Sequence, residues 1–427
     1  MKNLLTLLFS CTLSGAVAQK DMTKVIQGWS FGGLPVVAYN EDFGLQFGVI
    51  GNLFHYGDGG ERYPYYDHSI YTELTTTTRN DRRMIFRYDA RELVKDGRFR
   101  AEIFQRLTHF RPFYGFNGYQ SLYDSELQDP SSAHYLTALY YTYEQNRINA
   151  MANIEKNLFG MEKTYRLQVE GQLTYMGIST PNRNLFNRGK QQADLVDETP
   201  TLYDEYVAEG IIPIKDADGG IYAQLAVGGV IDTRDIEAFP SKGLFEEMMI
   251  NYGAPIDTDA PHVLSLRLNH RHYLSLVTDR VVFAHRIQFQ SYFNEDVPFY
   301  ILQTLGGSDG QRGIKFARLA GIGVVNGNFE FRAKFFQLVV FGQNLYAGTN
   351  LFFDTGRITK PVPWDHAGIQ SSNPMLVTNE VDTWHHAVGV GMKFALNENF
   401  VAALDYGKAL DDRDGGTASY ITLGWLF

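Results

Sequence analysis

Along most of this chain hydrophobic and polar residues alternate with a period close to two. Leu45, Phe47, Val49 and Leu53 interleave with Gln46, Gly48 and Asn52, and Tyr165, Leu167, Val169, Leu173 and Tyr175 with Arg166, Gln168, Glu170, Gln172 and Thr174. Further on, Leu264, Leu266 and Leu268 alternate with Ser265, Arg267 and Asn269, and Phe329 and Phe331 with Glu330 and Arg332. Successive side chains of a strand point to opposite faces, so each run carries one apolar and one polar face. A half-buried sandwich strand reads the same way. Length separates the two: several runs reach roughly ten to fourteen residues, long for a soluble sheet and suited to tilted strands crossing a bilayer.

Counted in this way the chain holds sixteen strands, from Leu34–Asn40 through a long Tyr135–Ile154 to Thr417–Phe427. The expectation is all-β: a 16-stranded antiparallel transmembrane β-barrel of outer-membrane type. An even number puts both chain ends on one side and closes the sheet, which removes its edges. If Phe427 ends at the inner rim, the long connections Ile178–Gly219 and Gly356–His385 fall outside, together with the loop around Arg312. Asp232–Lys242, Ser275–Arg280 and Asn397–Asn399 become short inner turns, the asymmetry expected of such barrels. Tyr56–His68 is a longish inner connection. Leu34–Asn40 is a very short first strand. In the last strand Ile421, Leu423, Trp425 and Phe427 share a face, preceded by Tyr420, which reads as an aromatic C-terminal closing strand.

Composition adds compartment and excludes some partners. Lys2, the apolar run Leu4–Phe9 and Ala16-Val17-Ala18 before Gln19 predict a secretory signal over 1–18. A short periplasmic segment, 19–33, then precedes a barrel over 34–427. Cys11, the single cysteine of the sequence, lies in that signal, so the exported chain has no disulfide; a lipoprotein signal ending at Cys11 is the alternative. No stretch approaches the ~18 continuous apolar residues of a helical span. The 26 Tyr and 30 Phe suit both strands and interfacial girdles. A net charge of −10 with no basic arm argues against nucleic acid as the main partner. Outer-membrane lipid and lipopolysaccharide are the expected surroundings, in the bacterial cell outer membrane.

One loop stands apart, Gly306-Gly307-Ser308-Asp309-Gly310-Gln311-Arg312-Gly313, an arginine set among glycines between two alternating runs. Glycine permits tight turns and close approach, and arginine offers a planar fork for a carboxylate. Downstream, Glu330 stands two residues before Arg332, and Phe352-Phe353-Asp354-Thr355-Gly356 forms a Phe-x-Asp-x-Gly motif. Upstream lie Gly228-Gly229-Val230-Ile231-Asp232-Thr233-Arg234-Asp235 and Ser241-Lys242-Gly243. Singly these are unspecific; in this order and spacing they resemble the Omp85 superfamily of outer-membrane barrels, which includes the barrel assembly factor and the two-partner secretion pores. The likeness covers most of the exported chain and is densest from Gly219 onward. It implies an Arg-Gly loop folded into the lumen, with Arg312 and Gly313 latched to Asp354 first and Glu330 second. It implies that Asp232, Arg234 and Asp235 tie an inner turn, with Lys242 as a further partner. It also implies a weak seam between first and last strands where substrate strands can template. Two departures stand out. Ile314 replaces the usual aromatic, which predicts looser packing of the loop tip, and the chain reads as a short form without periplasmic repeat domains.

The remaining chemistry is sparse. His270 and His272 share a strand face, whereas His385 and His386 are adjacent and point apart, so neither pair predicts a metal centre. Ser265 and Ser275 near His270 lack any nucleophile context, and Asp411–Asp414 with Gly415-Gly416 reads as an acidic turn more readily than as a calcium loop. No enzyme, metal or cofactor is expected. The leading reading is a non-enzymatic barrel acting in outer-membrane protein insertion or translocation, with envelope partners or substrate barrel proteins. A passive porin-like channel and a structural subunit of an envelope complex are the alternatives.

Overall fold

In a computed structural model the chain forms one closed antiparallel barrel of sixteen strands, with a two-stranded hairpin beside it. Residues 27–40, 43–58, 66–91, 93–159, 164–235, 237, 240–277, 280–340, 343–396, 400–423 and 426–427 are described. The signal expected over 1–18, with Cys11, lies outside them, as do Trp425 and most of Tyr56–His68. In chain order the strands are β1 Trp29–Asn40, β2 Gly44–His55, β3 His68–Thr77, β4 Arg82–Arg91, β5 Gly97–Pro112, β6 Thr142–Phe159, β7 Tyr165–Ser179, β8 Gly219–Asp232 and β9 Gly243–Pro255. They continue as β10 Val263–Val277, β11 Val281–Tyr292, β12 Gln303–Leu305, β13 Leu319–Gly321, β14 Gly323–Val340, β15 Gln343–Lys360, β16 His385–Leu396, β17 Phe400–Ala409 and β18 Thr417–Leu423. All but β12 and β13 belong to the barrel.

Alternation sorts the side chains as expected. Leu225, Val227, Met248, Ile250, Leu351 and Leu404 are exposed on the outer wall, while Asn149, Asn153, Gln168, Asn251, Asn269 and Asn326 are buried on the inner one. An apolar exterior and polar interior are what a strand needs between lipid and a wet lumen. Connections differ between the rims. The longest, 113–141, 180–218, 293–322 and 361–384, share one rim, here called outer, and the shorter connections that follow β8 and β10 belong to the other.

Three boundaries depart from expectation. The first strand starts at Trp29 rather than Leu34, so it is not short. Tyr135–Tyr141 is not strand; β6 starts at Thr142, because Tyr140 and Tyr141 are drawn into an aromatic cluster that fills the outer mouth. There Phe113, Phe116, Tyr203 and Tyr206 pack edge to face, with Phe113 and Tyr206 centroids 5.2 Å apart. The Tyr206 and Ser121 hydroxyls bond at 2.8 Å, and Asn117 exchanges bonds of 2.9 and 2.7 Å with the backbone of Val362. Such rings gain by apolar burial while their hydroxyls find partners. The helix Leu202–Ala208 enters this cap, closed at its start by a Thr201–Asp204 capping box.

The third departure is at the C-terminal end. β18 stops at Leu423, and Phe427 is buried against Tyr273, Val282 and Ala284 inside the barrel, not on the exposed face of Ile421. Its ring lies 5.2 and 4.7 Å from the Arg286 and Arg332 guanidinium carbons. Arg286 and Arg332 also donate to main-chain oxygens of Leu426 and Phe427, at 3.2 and 3.1 Å. These cation–π and hydrogen-bonding contacts account for the inward course of the tail.

Leu351 sits midway along β15 on the outer wall. Leu351→Arg is expected to cost about 2–4 kcal/mol, as cations do at the bilayer midplane, and Leu351→Ile almost nothing. Urea unfolding of protein reconstituted in vesicles reads the difference.

Candidate functional site at the luminal arginine and the barrel seam

The loop carrying Arg312 starts and ends on a small hairpin, with Gln303–Leu305 of β12 opposite Leu319–Gly321 of β13. From that base it runs along the inner surfaces of β14 to β17. Gly313 has φ 100°, and a Cβ there would lie 2.7 Å from the Lys408 nitrogen. The strand answers with its own glycine, since a Cβ on Gly407 would lie 2.7 Å from the Arg312 carbonyl. Backbone therefore packs on backbone, an approach only glycine allows.

Arg312 is 1% exposed and meets three strands. Its Nε and Nη2 donate to the two oxygens of Asp354 on β15 at 2.9 and 3.0 Å, and its backbone N–H adds a third bond at 3.0 Å. Nη1 forms ion pairs with Glu330 on β14 at 2.7 Å and with Asp405 on β17 at 3.7 Å. The guanidinium carbon lies 3.6 Å from the centre of the Phe352 ring. Each acid has further partners: Asn328 donates to Asp354 at 2.8 Å, Arg332 to Glu330 at 2.8 Å, and Lys393 to Asp405 at 2.7 Å. Arg312, Arg332 and Lys393 thus balance Glu330, Asp354 and Asp405 in a buried cluster. Burial alone would ease the proton from Arg312, but Asp354 and Glu330 reverse that and hold it firmly charged.

Asp405 was not singled out in the sequence, although a signal exists. Asp405-Tyr406-Gly407 repeats the Asp-x-Gly of Asp354-Thr355-Gly356. Both glycines make room for the loop, Gly356 for the Gln311 side chain and Gly407 for Arg312. Ile314 does not pack loosely. It is fully buried against Ala387 and Ala409, small residues that admit an aliphatic tip where an aromatic was expected.

Gly313 also donates its N–H to the Tyr420 hydroxyl at 3.1 Å, which ties the loop to β18. Tyr420 is 1% exposed and stands opposite Asn40 across the junction of first and last strands. That junction is thin: β1 and β18 share the pairs Tyr39↔Ile421 and Asn40↔Tyr420, whereas β1 pairs with β2 along its whole length from Trp29 to Asn40. Ile421 and Leu423 remain paired on the β17 side, opposite Leu404 and Ala402.

At the inner rim Arg234 donates to Asp232 through Nε and Nη2, both at 2.9 Å, and Arg166 reaches the same carboxylate at 3.2 Å. Asp235 accepts from Ser241 N–H at 2.9 Å and from the Lys242 backbone N–H at 3.3 Å, so Lys242 joins the turn through its main chain. Glu237, which the sequence did not point to, reaches Arg91 at 2.8 Å and Arg98 at 3.1 Å beside the distant β4–β5 turn. The histidines divide by face. His270 sits on the outer wall between Glu246, 2.6 Å away, and His285, 3.0 Å away. His385 is buried between Asp414 at 2.8 Å and Asp382 at 2.9 Å, where it ties two outer loops together.

A closed, capped barrel of sixteen strands with a polar interior is the fold of bacterial outer-membrane proteins. The chain belongs to the Omp85 superfamily: the model of the Omp85 superfamily domain matches residues 103–424. Among solved structures it is similar to BamA from Haemophilus ducreyi lacking POTRA domains 1–3, with TM-score 0.55 and 14% identity over 93% of this chain and 70% of that one. It is also similar to CdiB from Acinetobacter baumannii, with TM-score 0.48 and 12% identity over 96% of this chain and 64% of that one, under two thirds of its length. At these identities the likeness is one of fold. No curated protein matches the chain.

Arg312→Ala leaves three buried carboxylates short of a cation, and is expected to destabilise the barrel by about 3–5 kcal/mol, as breaking a buried pair from one side does. Arg312→Lys keeps the charge but cannot fork to Asp354, so its denaturant midpoint should fall between wild type and Ala.

Proposed function

We propose that this chain is a non-enzymatic barrel that helps insert or translocate other proteins at the bacterial outer membrane, working with envelope partners and without a cofactor. The observation that carries this reading is the thin seam. Among the described residues, Trp29–Ala38 of β1 has no partner on its β18 side. An unpaired strand edge is a template for another chain, which adds by β-augmentation through main-chain bonds while pockets choose side chains. Lipid and lipopolysaccharide border this edge in the same reading. The loop then acts as a latch: Arg312 and Gly313 fix β15, β17 and β18 from within, so that the wall keeps its shape when the seam parts. Asp232, Arg234 and Asp235 serve as a structural tie of an inner turn. The aromatic cap over the outer mouth favours this reading over a passive open channel.

Tyr39 and Ile421 stand opposite each other across the seam, and the sequence offers one other cysteine, Cys11. Tyr39→Cys combined with Ile421→Cys should lock the seam under oxidation and suppress insertion of a substrate barrel into vesicles, with recovery on reduction. Locking Leu404→Cys to Ile421→Cys, a pair already held in the sheet, should leave insertion intact. Equal activity of the oxidised and reduced seam pair would refute the templating role. A steady conductance that neither lock changes would point to a channel instead.

A further inference from the structure

The inner faces of β4, β5 and β6 carry arginines at successive levels, and the levels differ in how they are neutralised. Toward the inner rim each has a carboxylate. Arg98 donates to Asp89 at 2.8 Å, Arg100 pairs with Glu155, and Arg87 donates to Glu102 at 2.7 Å. Two levels further out, beyond Ile85, Phe104 and Asn149, the pattern stops. Arg83, Arg106 and Arg147 stand directly opposite one another across the three strands. Arg83 has Glu73 at 3.4 Å, but among the described residues no carboxylate forms an ion pair with Arg106, Arg147 or the neighbouring Arg111. Arg111 donates only to the Tyr143 hydroxyl, at 2.9 Å, and the Arg147 Nε is buried without a partner.

Aromatic faces take the place of acids here. Arg106 lies 4.2 Å from the Phe43 ring centre, Arg111 lies 4.8 Å from Phe316, and Arg83 and Arg147 flank Phe104 at 5.9 and 5.8 Å. Cation–π contact offsets part of the desolvation but cancels no charge. Like charges directly opposite in a sheet repel, and among the described residues Arg106 and Arg147 have no directly paired carboxylate to offset it.

Space for one lies beside it. Arg83 and Arg106 line a cavity of about 370 Å³ that reaches Tyr39, Ile421 and Thr422 at the seam. Its volume falls within the ~300–1,000 Å³ usual for small-molecule sites. Acids share its wall without closing an ion pair on Arg106: Glu73 lies 3.4 Å from Arg83 and also accepts from Tyr71 at 2.9 Å, Asp81 accepts from the His109 N–H at 2.9 Å, and Asp309 from Ser308 at 3.4 Å. We propose that this cavity binds a phosphate-bearing anion, held by Arg83 and Arg106 with Arg147 behind them. Convergent guanidinium forks suit a multiply charged, multi-acceptor oxyanion better than a single carboxylate. A soluble phosphate can fill the site from the lumen, and a phospholipid headgroup can do so through the seam. The proposal does not depend on the insertion reading.

Thermal midpoints of the full chain test it in two settings. In detergent, sodium phosphate is titrated against sodium chloride at matched ionic strength. In nanodiscs, phosphatidylcholine is compared with phosphatidylcholine containing phosphatidic acid. An upward shift with inorganic phosphate identifies a soluble ligand, and a shift with phosphatidic acid alone identifies a lipid headgroup. In either case Arg106→Gln should weaken binding by about ten- to hundredfold, the worth of a charge-assisted hydrogen bond, and Arg147→Gln, which acts from behind the cavity through its charge alone, by less. Arg267→Gln, a luminal arginine that lies 3.5 Å from Glu247 on the far wall, should leave the shift unchanged. Without phosphate these two variants should melt no lower than wild type, since removing either charge relieves repulsion along the row. The proposal is overturned if neither phosphate source shifts wild type, if the shift survives in the Arg106→Gln/Arg147→Gln double variant, or if those variants melt lower with no response to phosphate.

Discussion

A single buried guanidinium sets the terms for much of this barrel. Arg312 is drawn out of water with Asp354, Glu330 and Asp405 around it. Taking such charges from water costs several kcal/mol per ion, and mutual attraction repays it only where geometry is good and the remaining lone pairs are filled. Here Asn328, Arg332, Asn350 and Lys393 fill them. The arrangement therefore adds less to net stability than its bonds suggest, and more to placement. A loop that could lie anywhere in a wide lumen is confined to one position on the wall.

That position matters because of what lies next to it. Gly313 reaches Tyr420 on the last strand, directly across from Asn40 on the first. Elsewhere in the sheet neighbouring strands hold each other by ladders of main-chain bonds. At the seam the described residues share only the pairs Tyr39↔Ile421 and Asn40↔Tyr420, and β18 is secured by β17 on one side and by the Arg312 loop from within. The lumen is also polarised around this arrangement. Acids on β14, β15 and β17 gather about Arg312, while the opposite wall, β4 to β6, carries arginines that exceed their acids near the cavity.

Much of this was legible in the sequence, for a physical reason. A strand between lipid and a polar lumen must alternate, so every barrel strand announced itself, and turns of glycine and polar residues gave most of the limits. Arg312, Glu330 and Asp354 were legible only as motifs in order; their convergence depends on register across strands, which no local pattern encodes. Asp405 was missed because it lies on a strand without the preceding Phe of the Phe-x-Asp-x-Gly motif, although its Asp-x-Gly was in view. The cap misled in the opposite sense. Tyr135–Tyr141 has the composition of a strand, yet its rings are used to fill the outer mouth, where long-range packing overrides local pattern. Glu237 is a plain acidic residue in a turn, and nothing local marks Arg91 and Arg98 as its partners.

The C-terminal end shows how a small change in length decides what the seam can be. β1 has 12 residues and β18 has 7. With Tyr39 opposite Ile421, Leu423 comes level with Val37, and Trp29–Pro35 extend past the last described residue of the closing strand. Phe427 lies across the lumen against Tyr273, between Arg286 and Arg332. Arg332 is the same residue that donates to Glu330 in the Arg312 cluster. The contacts that keep the tail inside are thus continuous with those that place the loop.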